Sequence, residues 1–188
     1  MRIPMQDAAC FDACPKRTDN LILIGLPSSG KSTVGVLLAK QLGYRFLDSD
    51  LLIQEREGML LHELIASRGV DGFLKIENEV NASVDTERTV IATGGSVVYG
   101  REAMEHLRAL GCVICLEIDF ETMQKRLGDY THRGIVTRGG KTDLQALYRE
   151  RLPLYKAYAH ATVKVSSDAL LSDTVERTLA VYEGLSEG

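Results

Sequence analysis

The stretch Gly25-Leu26-Pro27-Ser28-Ser29-Gly30-Lys31-Ser32-Thr33 sets a lysine and a hydroxyl directly behind two glycines spaced five apart, the pattern G-x-x-x-x-G-K-[ST]. Residue types in that order suit the oxygens of a triphosphate. Gly25 and Gly30 leave room for a tight turn whose backbone N–H groups close on phosphate, with Ser28, Ser29 and Thr33 beside them. Lys31 adds a positive charge and Ser32 a hydroxyl suited to Mg²⁺. Asp48 and Asp50 stand two apart, so their side chains need not share one direction: one can face a metal ion while the other faces an acceptor. Phosphoryl transfer needs both functions, charge neutralisation at the metal and a carboxylate that orients or deprotonates the attacking hydroxyl.

Three further groups fit the same chemistry. Gly94-Gly95 lets backbone approach a ligand unobstructed. The segment from 128 to 140 is long, polar and flanked by glycines, as a lid is, and Arg126, Arg133 and Arg138 lie in or beside it. A lid arginine excludes water and adds positive charge where charge develops. His62, His106, His132 and His160 read as surface residues rather than catalysts.

These groups need elements to hold them. Leu21-Ile22-Leu23-Ile24 reads as a buried strand, and Val34, Leu37, Leu38 and Leu42 mark the helix after the glycine loop, closed by Gly43. A second strand over 44–47 runs into Asp48. Helices follow from Leu51 to Gly58, from Leu61 to Ser67, and from Asp71 onward with Phe73, Ile76, Val80 and Val84 on one stripe. A third strand over 88–93 ends at Gly94, and a helix carries Met104, Leu107 and Leu110 to Gly111. Cys112 to Ile118 makes a fourth strand, 120–127 a helix, and a helix from Thr142 is expected to be interrupted at Pro153. A fifth strand over 162–165 and a helix over 173–182 complete the chain. Alternating strands and helices define an α/β, three-layer fold: a central five-stranded parallel sheet with helices on both faces and ligands at the carboxyl ends of the strands.

The chain has 188 residues, a length suited to one domain, and a net charge of −4. Interspersed charges of both signs argue against nucleic-acid binding through an extended basic surface. No apolar run is long enough to span a membrane and no secretory leader is visible, so the expectation is a cytoplasmic protein. Residues 1–20 read as an extension, ordered only if it docks, and 21–188 as the domain proper. Cys112 and Cys115 lie three apart on one strand and point to opposite faces, so they read as buried, inert thiols rather than a metal pair. The leader bearing Cys10 and Cys14 shows no periodicity.

Assembled, these pieces resemble the shikimate kinases, small P-loop kinases. Besides the glycine loop, Phe46-Leu47-Asp48-Ser49-Asp50 is similar to the family's D-x-D junction, and Ala92-Thr93-Gly94-Gly95 to the start of its glycine triplet. Arg151-Leu152-Pro153-Leu154-Tyr155 matches R-x-P-L-Y. The resemblance implies ATP and Mg²⁺, with Lys31, Asp50 and Arg133 catalytic, Ser32 and Asp48 at the metal, and Arg126 and Arg133 on the nucleotide. It places Asp50, Gly94, Gly95, Ser96 and Arg151 on the acceptor, the lid at about 128–140, and acceptor-binding helices within about 49–87. Its implied reaction converts shikimate to shikimate 3-phosphate; a monomer with only small-molecule partners is the expectation, although the sequence itself is silent on oligomeric state.

Two departures fall on the acceptor side. Where the family has G-F-R-x-x-E, with the arginine gripping the substrate carboxylate, this chain has Gly72-Phe73-Leu74-Lys75-Ile76-Glu77, and Ser96 replaces the third glycine. Losing a charge-assisted hydrogen bond weakens a carboxylate substrate by roughly 10- to 100-fold unless something replaces it. Lys75 is one candidate replacement. A different hydroxy acid, a polyol or an amino-alcohol is therefore an alternative acceptor, and a catalytically silent nucleotide-binding module is an alternative of another class.

Overall fold

The computed structural model describes residue 14, residues 19–128 and residues 143–186. Five strands, β1 (Leu21–Ile24), β2 (Arg45–Asp48), β3 (Thr89–Ala92), β4 (Cys112–Glu117) and β5 (Ala161–Lys164), form one parallel sheet in the order β2-β3-β1-β4-β5. The strands are short, and the inner ones are apolar because both faces are covered: β1 and β3 are buried throughout, whereas the edge strand β2 has no fully buried residue. The covering helices are α1 (Lys31–Leu42), α2 (Ser49–Glu57), α3 (Leu61–Ala82), α4 (Arg101–Leu110), α5 (Phe120–Leu127), α6 (Leu144–Tyr158) and α7 (Leu171–Ser186). Among the described residues no helix is long and apolar enough to cross a membrane.

The strand order reverses at β1. β3 lies on one side of it and β4 on the other, which opens a crevice at its carboxyl end, where the glycine loop begins. The opposite end of the sheet is sealed by Asn20. Its Oδ1 accepts from Thr89 N at 3.0 Å, and its Nδ2 donates to Thr86 O at 2.7 Å and Leu110 O at 3.1 Å.

Most apolar side chains join one cluster around the sheet, but Ile53, Leu64, Phe73 and Val80 make a second, smaller core between α2 and α3. The two helices expected over this part of the chain are both present, joined end to end within α3 at a kink at Gly69. There φ 71 and ψ 175 leave the helical region and favour glycine.

Three expectations need correction. Pro153 does not interrupt α6. It and Arg149, whose carbonyl loses its helical donor, are both exposed, so water can satisfy that group. His160 is buried, with Nδ1 accepting from Val113 N at 2.9 Å. Cys112 is not a free thiol: it forms a disulfide with Cys14, with a Cα–Cα distance of 5.3 Å, while Cys115 is free and buried. The sequence placed Cys14 in a leader without periodicity, so nothing there signalled the pairing.

Candidate active site

The turn after β1 owes its shape to Gly25, whose φ of 148 suits glycine; a Cβ there would meet the Leu116 carbonyl oxygen at 2.5 Å. Strand β4 thus presses directly on the loop. Ser28, with φ 63, also lies in the left-handed region. The loop carries Lys31 to the first turn of α1, where unpaired N–H groups favour an anion. Lys31 is buried, and Nζ donates to Gly25 O at 2.8 Å, Leu26 O at 3.0 Å and Ser29 Oγ at 3.4 Å. Burial lowers its ammonium to about 8, opposed chiefly by the Asp50 charge.

At the carboxyl end of β2, Asp48 caps α2, its Oδ1 accepting from Asp50 N at 3.0 Å, while Oδ2 accepts from Ser32 Oγ at 2.8 Å. Two oxygen donors side by side suit a hard cation such as Mg²⁺. Asp50 turns inward. Burial first, and the Asp48 charge second, raise its carboxyl to about 6, against the pull of Lys31.

Both halves open onto one cavity of about 420 Å³. Its wall includes Ser28, Gly30, Lys31, Ser32 and Thr33 on one side and Asp50, Gly94, Gly95, Ser96 and Arg151 on the other, with Arg126 at the rim. Arg126 Nη1 donates to Ser28 O at 3.4 Å. Gly25 and Ser29 shape the loop behind this wall, and Asp48 stands beside Ser32. Arg133, Arg138 and the expected lid, apart from Gly128, lie outside the described residues.

Arg151 is 2 % exposed despite its charge. Nη1 donates to Gly95 O at 3.1 Å, Nε to Tyr99 Oη at 3.2 Å, and Cζ lies 5.0 Å from the Tyr99 ring centroid. Tyr155 Oη also donates to Gly95 O, so Gly95 is held from α6 by two side chains.

Glu77 is a wall residue absent from the sequence-based site. It is buried and lines the cavity together with Leu61, Phe73 and Thr93. Burial raises its carboxyl to about 8, while hydrogen bonding from the Ser96 side chain opposes that rise. Two signals were available: Glu77 is the glutamate of the G-F-R-x-x-E match, and it sits four residues after the buried Phe73, so the inward stripe of α3 runs through it rather than through the half-buried Ile76. Leu74 packs against the small core and Lys75 is exposed; neither lines the cavity.

A nucleotide loop facing an inward carboxylate across one cavity, on a five-stranded parallel sheet, defines a P-loop phosphotransferase acting on a hydroxyl group. A family model for shikimate kinase matches residues 27–180, and the chain belongs to the shikimate kinase family. A shikimate kinase of Moorella thermoacetica is 38 % identical over 161 residues, 85 % of this chain and 91 % of the relative. One of Thermodesulfovibrio yellowstonii is 34 % identical over 172 residues, 90 % and 98 %. Among solved structures, a shikimate kinase from Acinetobacter baumannii in complex with shikimate superimposes with a TM-score of 0.80 at 28 % identity, covering 90 % of this chain and 95 % of that one. The protein is therefore an ATP-dependent kinase.

Proposed function

We propose that the chain phosphorylates shikimate at its 3-hydroxyl, and the observation that carries this reading is that Lys31 and Asp50 line the same cavity. ATP places its terminal phosphates in the loop from Gly25 to Thr33, against Lys31 and the first turn of α1. Arg126 lies at the nucleotide edge, and Arg133 reaches the phosphates from the lid. Ser32 and Asp48 would hold Mg²⁺, which would supply charge neutralisation at the phosphates.

Asp50 orients the acceptor hydroxyl and takes its proton. The freed oxygen forms a bond to the γ-phosphorus as the bond to the bridging oxygen of ADP breaks. A carboxyl raised toward neutrality is better matched to that proton transfer than an ordinary aspartate. Gly94, Gly95, Ser96 and Arg151 hold the acceptor, with the Arg151 guanidinium facing its carboxylate. In this reading residues 21–188 act as one kinase unit, with α2 and α3 as its acceptor arm. The enzyme works in the cytoplasm as a monomer, without nucleic-acid or membrane partners.

An ADP-release assay with shikimate, ATP and Mg²⁺, coupled to mass spectrometry of the product, tests the reaction. Shikimate-dependent ADP release with a matching phosphorylated product is expected; ATP binding without acceptor-dependent turnover would sink it. A second reading, another hydroxy acid or a polyol as acceptor, draws support from the positions of Leu74 and Lys75, neither of which returns a cation to the cavity. Faster turnover of such an acceptor than of shikimate in the same assay would favour it.

A further inference from the structure

Away from the cavity, the described residues bring one group of reactive side chains together. Cys14, Cys112 and His160 are all buried, and a ring nitrogen of His160 lies within 4.8 Å of both sulfurs. The group sits at the amino end of β4, whereas Leu116, near the carboxyl end of that strand, presses on Gly25. Cys14 also precedes residues 27–180, the part that the shikimate kinase model matches, so its bond to Cys112 is no part of that match.

The folded domain accommodates either state of the Cys14–Cys112 bond. Asn20 ties the start of β1 to Thr86, Thr89 and Leu110 through its own side chain, so opening the bond leaves the sheet anchored. Cys112 N donates to Asn20 O at 2.9 Å, which holds Cys112 in place whether or not its sulfur is bonded. Cys115, buried on the opposite face of β4, does not compete for exchange, since burial pushes its thiol up to about 12.

We propose that Cys14 and Cys112 form a reversible redox clip: a dithiol reductant opens it and oxidation closes it, so the thiol balance around the enzyme sets its stability without altering its chemistry. The inference rests on the cytoplasmic kinase reading above, because thiols in that compartment are kept reduced and a disulfide there is subject to exchange. A thiolate of the reductant attacks Cys14 Sγ, whose residue is 7 % exposed against 2 % for Cys112. The S–S bond breaks with its electron pair passing to Cys112 Sγ. The second thiol of the reductant then displaces Cys14 from the mixed disulfide. Two electrons pass to the chain, the two protons of the dithiol are balanced by those taken up at Cys14 and Cys112, and the reductant leaves as a disulfide. His160 stands beside the departing sulfur. Its Nδ1 accepts from Val113 N at 2.9 Å, so the ring proton lies on Nε2 as a donor, an arrangement that suits a thiolate and offers a metal ion no lone pair.

The test uses the full chain in native buffer with dithiothreitol as the reductant. Thiol alkylation read by mass spectrometry should show Cys14 and Cys112 opening without denaturant. Tm should fall by roughly 5–15 °C, while kcat with shikimate, ATP and Mg²⁺ stays within about twofold. Oxidised glutathione should restore both the bond and the Tm. Cys14→Ser should lose the Tm response to reductant, and Cys10→Ser should keep it. A bond that yields to dithiothreitol only in denaturant overturns the inference, as does a Tm that the reductant leaves unmoved or a larger fall in kcat. Stoichiometric zinc binding by the reduced chain, lost in Cys14→Ser, overturns it in favour of a metal centre. Thiol trapping and melting need no acceptor, so an absence of turnover with shikimate would sink the function proposed above and leave the clip standing.

Discussion

The two sides of the cavity are built on different principles. On the nucleotide side, one run of consecutive residues supplies most of the binding groups, with Asp48 and Arg126 beside it, and the buried Lys31 ammonium already has three oxygen partners within 3.4 Å. On the acceptor side, α2, α3, the Gly94 turn and α6 each contribute a side chain, Asp50 and Glu77 are both shifted upward by burial, and Glu77 Oε1 has no hydrogen-bond partner among the described residues. The loop is preorganised by its backbone, whereas the acceptor wall is assembled from side chains of separate elements. A site made of contiguous backbone tolerates little editing; one made of separate side chains can be retuned one residue at a time.

The most damaging way to test that contrast is to remove one charged group from each side. Asp50→Asn should lower kcat roughly 10²- to 10⁴-fold, while ATP binding measured by titration calorimetry stays within about threefold. Lys31→Ala should weaken ATP binding and turnover together, by roughly 10²- to 10³-fold in kcat/KM. Equal loss of ATP affinity in both variants would erase the distinction between the sides. Gly94→Ala comes next. Its methyl group would collide with Glu77 and Asp50, so KM for the acceptor should rise roughly 10- to 100-fold with KM for ATP little changed.

Smaller effects sharpen the comparison. The folded chain holds the Glu77 proton to about pH 8, whereas an ordinary glutamate releases it near 4.5. Between those values the folded state binds more protons than the unfolded one, so this group's contribution to stability falls as pH rises through the window. Melting curves from pH 5 to 8 should show a decline in Tm that flattens in Glu77→Gln; identical slopes would refute the assignment. Cys14→Ser leaves both sides untouched and removes the link between residues 14 and 112. It should lower Tm by roughly 5–15 °C while kcat stays within about twofold, because Cys112 begins β4 at the end of the sheet remote from the loop.

The same division explains how much of the molecule was legible beforehand. The loop from Gly25 to Thr33 could be read because its chemistry is local: spacing alone sets two glycines, a lysine and a serine around phosphate. Asp48 and Asp50 were legible as a strand-end pair, and Arg151 through a short motif. Glu77 was in view only as the glutamate that ends the G-F-R-x-x-E match; that it faces Gly94 and Asp50 is a tertiary fact that helical spacing only suggests. The Cys14–Cys112 bond joins positions 98 apart, beyond any local pattern. Pro153 misled for the opposite reason: the local rule was sound, but Arg149 is an exposed residue, so water can offset the lost hydrogen bond.

The separate small core beneath α2 and α3 carries a consequence of its own. Ile53, Leu64, Phe73 and Val80 support the helices that carry Asp50 and Glu77, while a distinct cluster supports the strands that frame the phosphate turn. The packing that holds the acceptor arm can therefore be altered with little effect on the packing beneath the phosphate turn, the two clusters meeting at Leu52.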